Sequence, residues 1–183
     1  MTKKILLLVF TYLAAGNLFA QKLTEGSLES LIKDEVTIVN FELDFSNASI
    51  YGLSESSYGK YNPKWEEWKN DATLLFVTTL SEHCAKYHIK FDKTPEVETT
   101  FRVTIDSIYN GQFYDNNRKG NCKCSVVILN AEKQIVARII NIRGAGGKVG
   151  SSQNLMNDGI KRAAEQLGDF LTKKLKKVKK SSK

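Results

Sequence analysis

Phe101-Arg-Val-Thr-Ile-Asp106, Cys122-Lys-Cys-Ser-Val-Val-Ile-Leu129 and Ile135-Val-Ala-Arg-Ile-Ile-Asn-Ile142 are three runs of one stretch, residues 101–143. In the first, Phe101, Val103 and Ile105 alternate with Arg102, Thr104 and Asp106. A period of two puts the apolar set on one face of a strand and the polar set in water. The alternation breaks at Ile108-Tyr109, and Asn110-Gly111 follows as a turn or bulge signal. The second run is apolar on both faces, which suits the interior of a sheet. Five of the eight residues of the third are β-branched, a composition that fits a pleated surface. Asn130-Ala-Glu-Lys133 joins the last two as a polar hairpin. The stretch reads as an up-and-down meander of three strands.

Outward from the meander, Val36–Phe45 reads as a further strand, with Val39, Phe41, Leu43 and Phe45 on one face. Residues 46–61 read as a long connection carrying Tyr51, Tyr58 and Tyr61. Tyrosine offers contact area and a hydroxyl at low entropic cost, so these three are the candidate partner-binding residues. The alternative for them is packing on the body of the protein. Asn62 and Pro63 have the chemistry of a helix start. From there Trp65, Trp68, Ala72, Leu75, Phe76, Leu80 and Cys84 recur at spacings of three and four, a stripe that faces a core. A short strand at 88–91 leads to Pro95. After the meander, Met156, Ile160, Ala163, Leu167, Phe170 and Leu171 mark a second amphipathic helix. The expected fold is α+β: an antiparallel sheet of about four to five strands with two amphipathic helices on one face.

Met1–Ala20 has the pattern of a secretory signal, with Lys3 and Lys4 before a short apolar run and small residues at its end. Cleavage after Ala20 is expected, with Gly16 the alternative. The apolar run is shorter than the ~18 residues a membrane span needs, and no lipobox cysteine follows it. The expected organisation is therefore a signal over 1–20, an N-terminal segment over 21–35, one domain over 36–175 and a disordered basic tail over 176–183. A periplasmic or secreted location follows, with no transmembrane segment after cleavage.

Charge is unevenly placed. The chain holds 27 basic and 20 acidic residues, and the last eleven residues contain seven lysines and no acid. Such a tail is ordinarily a solvated end, and its functional reading is contact with an anionic surface. Nucleic acid is not an expected partner, because the tail has no aromatic side chains to stack on bases. In an oxidising compartment Cys84 is the candidate for a disulfide with Cys122 or Cys124. The last two lie two apart on one strand and pair poorly with each other.

No catalytic, cofactor or metal residue is expected. In Gly144-Ala-Gly-Gly-Lys-Val-Gly150 a valine stands where a phosphate loop needs Ser or Thr. His83, Cys84 and His88 match no zinc spacing, and the two histidines diverge on a helix. The carboxylate pairs Glu66-Glu67 and Glu96/Glu98 read as exposed positions with no reason for a raised pKa. The order of elements, with Arg143-Gly-Ala-Gly-Gly leading into the Ala163-Ala164 helix, resembles the small α+β domains of bacterial envelope accessory proteins. Examples are the TolB N-terminal domain, LpoB and CsgG. That resemblance implies an exported, non-enzymatic protein that binds a protein or glycan of the envelope. The alternatives are an envelope enzyme of unknown class and a protein that associates with anionic surfaces through its tail.

Overall fold

The computed structural model describes residues 21–33, 35–93, 96–109, 121–147 and 150–181. The signal over 1–20, the Asn110-Gly111 turn, Pro95, Lys148-Val149 of the glycine run and the end of the lysine tail lie outside the described residues.

Eight strands and three α-helices follow one another among the described residues. They run β1 (Lys22–Gly26), β2 (Thr37–Asp44), β3 (Ser49–Ile50), β4 (Leu53–Ser54), α1 (Glu55–Tyr61), α2 (Trp65–Cys84), β5 (Ile89–Asp92), β6 (Thr100–Tyr109), β7 (Asn121–Leu129), β8 (Ile135–Ala145) and α3 (Ser152–Ser181). The main sheet order is β1-β8-β7-β6-β2-β5, with β3 against β6 and β4 against β3.

The meander forms as its pattern dictates. β6 pairs β7 and β7 pairs β8, both antiparallel, with Phe101 opposite Ile128 and Val126 opposite Ile139. A bulge between Ile105 and Ser107 absorbs one residue. That is why the alternation slips yet Ile108 returns to the core with Ile105. A second irregularity, between Cys124 and Val126 of β7, faces Asn141 of β8 at φ 63°.

Two features depart from the expected sheet. It is mixed: β2 runs parallel to both β5 and β6. The physical reason is connectivity, since α2 lies between β2 and β5, and a strand that follows a crossover helix in the same sheet runs parallel. The sheet also has eight strands, more than four to five. The lead-in before residue 36 supplies β1 as an edge strand on β8, and its Leu28 and Leu31 are buried. The 46–61 connection supplies β3, β4 and α1.

Both long helices cover one face of the sheet. α2 lies over β2 and β5, α3 over β6, β7 and β8, and they pack on each other. Phe76 and Leu80 of α2 and Ile160, Leu167 and Leu171 of α3 are fully buried between them and the sheet. The lysine-rich end is a correction: α3 continues through Ser181 as helix, with Leu175 buried. Among the described residues no α-helix lies on the opposite sheet face. There Glu42, Arg102, Val127, Arg138 and Glu25 form one cross-strand row, closed at its ends by Arg102–Glu42 and Arg138–Glu25 ion pairs at 2.6 and 3.4 Å.

The cysteine pairing is also corrected. Cys84, Cys122 and Cys124 are all free thiols buried in the core. Burial pushes the Cys84 thiol up to about 12. The hydrogen bond with Cys122 and burial push Cys124 up as well. All three behave as small apolar residues.

Candidate functional site

The three tyrosines fall in different places. β3 and β4 form a hairpin whose central residues Tyr51 and Gly52 both have positive φ, 53° and 86°, the twist a two-residue hairpin needs. The Tyr51 hydroxyl donates to the Ser152 carbonyl at 3.1 Å, and its ring meets Tyr58 edge-on at 5.3 Å. Tyr58 meets Trp65 at 5.1 Å, and Trp65 meets Phe45 at 5.6 Å. Tyr51 and Tyr58 therefore belong to an aromatic chain that fastens α1 to the starts of α2 and α3. Burial holds both phenols above their ordinary range. Tyr61 alone is open, at 80% exposure.

A cleft lies beside this chain, between β2 and α2. Its volume is about 570 Å³, and it is lined by Phe41–Ser46, Glu55, Glu66, Lys69, Asn70, Thr73 and Lys93. Local sequence places each group. Ser54 caps α1 by accepting from the Ser57 N–H at 3.3 Å, so Glu55 enters the first turn, where a carboxylate is favoured. Asn62 ends α1, and its Oδ1 accepts from the Lys64 N–H at 3.1 Å. That tight turn sets Trp65 and Lys69, one helical turn apart, over Glu55.

The resulting cluster is closely bonded. Glu55 Oε1 accepts from Trp65 Nε1 at 2.7 Å and from Lys69 Nζ at 2.8 Å. Lys69 Nζ also pairs with Glu66 at 2.7 Å and sits 5.7 Å from the centre of the Trp65 ring. The Lys69 hydrogen bond, then that of Trp65, holds the Glu55 carboxyl below its ordinary value. Burial opposes the charged form of Lys69, but its bonds to Glu55 and Glu66 outweigh this and hold it above the ordinary lysine value. Both groups therefore stay charged near neutrality. A carboxylate stabilised in this way is a poor general acid, and such an ammonium is a poor general base. Asp44 is occupied too, accepting from the Ser46 N–H at 2.9 Å.

Among the described residues no cluster of His, Cys, Asp and Glu has the arrangement of a metal site. His83 instead faces Asp169 at 3.4 Å, linking α2 to α3. In the glycine run, Gly144 lies within β8, and the Gly147 N–H donates to Asp158 of α3. Sequence reasoning missed the β2–α2 cleft, because its lining comes from four segments that only the fold brings together. The Ser54–Ser57 cap was the one local signal for α1.

No family model matches the chain, and no curated protein matches it. Among solved structures, the PelC dodecamer from Paraburkholderia phytofirmans is similar at 7% identity, over 80% of this chain and 97% of that one, with a TM-score of 0.45. A Xanthomonas campestris protein of the DUF330 family is similar at 6% identity, over 90% and 98%, with a TM-score of 0.44. Neither is a TolB, LpoB or CsgG protein, and at these values the likeness concerns the course of the chain and carries nothing about ligand or partner.

Proposed function

We propose that the chain is an exported, non-enzymatic protein of the cell envelope that works by binding a protein or glycan partner. The observation that supports this most is the state of the cleft: its central charges are fixed by one another, which suits recognition and not proton transfer. The signal-like pattern of 1–20 supports the location. The test is a photoreactive residue at Asn70 in the cleft, compared with one at exposed Gln166 on α3, in cells that make the protein. A discrete adduct from Asn70 that Gln166 does not form is the expected result. No adduct, or the same adduct from both positions, would count against the reading.

One observation favours a second surface. The last two and a half turns of α3 carry Lys173, Lys174, Lys176, Lys177, Lys179 and Lys180 as a helix. Tyr87 fixes this end by donating to the Thr172 carbonyl at 2.9 Å, and Lys176, Lys179 and Lys180 gather beside its ring. Leu171 and Leu175 face inward, so the lysines present a charged surface with no apolar face to insert. No helix among the described residues is long and apolar enough to cross a membrane. Each lysine near an anionic surface contributes about 1 kcal/mol. Changing Lys176, Lys179 and Lys180 to alanine should lower partitioning onto phosphatidylglycerol vesicles about a hundredfold at low salt. Cosedimentation that resists high salt would remove the electrostatic account.

A further inference from the structure

The outer lane of the sheet is interrupted. β5 fills it beside Thr37–Asn40, and β4 fills it beside Ser49–Ile50. Between them, beside Phe41–Asp44, no strand among the described residues occupies the lane. β2 pairs β6 there on its other side only. The direction of the peptide groups follows from the hydrogen bonds around them. Thr37 N–H donates toward β5, to the His88 carbonyl at 2.8 Å, while Asn40 N–H donates toward β6, to the Thr99 carbonyl at 2.9 Å. Peptide groups alternate sides along a strand, so those of Phe41 and Leu43 point toward the lane; the Asn40–Asp92 pairing with β5 takes up the Phe41 N–H, which leaves the Leu43 groups with no strand beside them among the described residues. Unpaired edge groups of this kind are templates for strand addition. The lane is roofed by α2 through Glu66, Lys69, Asn70 and Thr73 and is the floor of the cleft. Its open length is four residues, about 13 Å at ~3.3 Å each.

Charge selects the occupant. The cleft lining carries four carboxylates, Glu42, Asp44, Glu55 and Glu66, against two ammonium groups, Lys69 and Lys93. Lys69 is already shared by Glu55 and Glu66, and Glu42 is paired with Arg102, so the surplus is one negative charge. We infer that this lane receives a short extended segment of a partner protein, bearing lysine or arginine and added as a strand along Phe41–Asp44. The inference rests on the reading of the cleft as the partner-binding surface and names the partner's chemistry.

The probe is the capped tetrapeptide Ac-Lys-Val-Lys-Val-NH2 at millimolar concentration, with Ac-Glu-Val-Glu-Val-NH2 as its opposite. Amide exchange and chemical shifts are followed on the whole secreted chain. The lysine peptide should slow exchange of the Leu43 amide about tenfold, shift signals within 41–46 and 66–73, and bind about tenfold tighter than the glutamate peptide. Leu43→Pro removes only a donor that points into the lane, a substitution an edge can hold, and should abolish the effect. If that variant misfolds, Glu66→Lys with Asn70→Lys, both at exposed positions, should reverse the preference between the peptides. Equal response to both peptides, shifts elsewhere, or concentration-dependent pairing of two copies through this edge would overturn the inference. An Asn70 adduct without strand addition would sink this inference alone. Strand addition without an Asn70 adduct in cells would sink the envelope-binding reading alone.

Discussion

Gly144→Ala should lower the unfolding midpoint by about 6–12 °C, from a loss of about 3 kcal/mol at the upper part of the overpacking range. Gly144 sits in β8 where α3 crosses the sheet. A methyl group there would run into the Gly159 carbonyl and the Ala163 amide nitrogen. Both are main-chain atoms, so no side chain can rotate away. The helix would have to lift from β8, and Met156, Ile160, Ala163 and Leu167 would lose packing together. Gly52→Ala is the control. Its φ is +86° but nothing lies within 4 Å of the added atom, so it should cost only about 1 kcal/mol of backbone strain. Scanning calorimetry of the two variants separates the effects. A Gly144→Ala protein as stable as Gly52→Ala would show that helix and strand do not meet this closely.

The same contact shows what was legible in the sequence. Arg143-Gly-Ala-Gly-Gly fits no phosphate loop, and at Gly144 the absence of a side chain serves a close approach. Only the partner across that approach, Gly159-Ile-Lys-Arg-Ala163, gives the glycine its meaning, and it lies fifteen residues further on. The meander and the two helical stripes were legible because each is a local period that burial then enforces. The strand direction of β2 was available in principle from the order strand, helix, strand. β3 and β4 were not: each is two residues long, and Tyr51-Gly52 lacks the Asn or Asp that announces a two-residue turn. α1 buries no residue, so it left no stripe. Residues 173–181 look solvated by composition, yet Leu175 continues the core-facing row of Leu167 and Leu171 and carries the helix onward. In the sequence the three tyrosines look like one group, but the positive φ of Tyr51 turns it inward and only Tyr61 stays outside.

Trp65→Ala should destabilise the protein by about 3–5 kcal/mol and disorganise the cleft at the same time. Trp65 is 2% exposed and is the only described side chain that touches Phe45, Tyr58, Glu55 and Lys69 together. Removing it leaves a cavity, frees α1 from α2 and takes one of two donors from Glu55. Trp65→Phe divides these effects, since an aromatic ring stays while the N–H and the rest of the indole go; the lost packing does not depend on pH, and the lost hydrogen bond costs about 1–2 kcal/mol. The pH dependence identifies the second part. Glu55 is held below its ordinary value of 4.5, so its bonds stabilise the fold fully above that value and are lost as pH falls through the depressed one. The stability gap between wild type and Trp65→Phe should therefore be full at neutral pH and narrow below 4.5. In a Glu55→Gln background the same substitution should show a gap that no longer changes with pH over that range. Urea titrations at neutral and acid pH measure it, and a gap independent of pH with Glu55 present would mean that the Trp65 N–H does not hold the carboxylate.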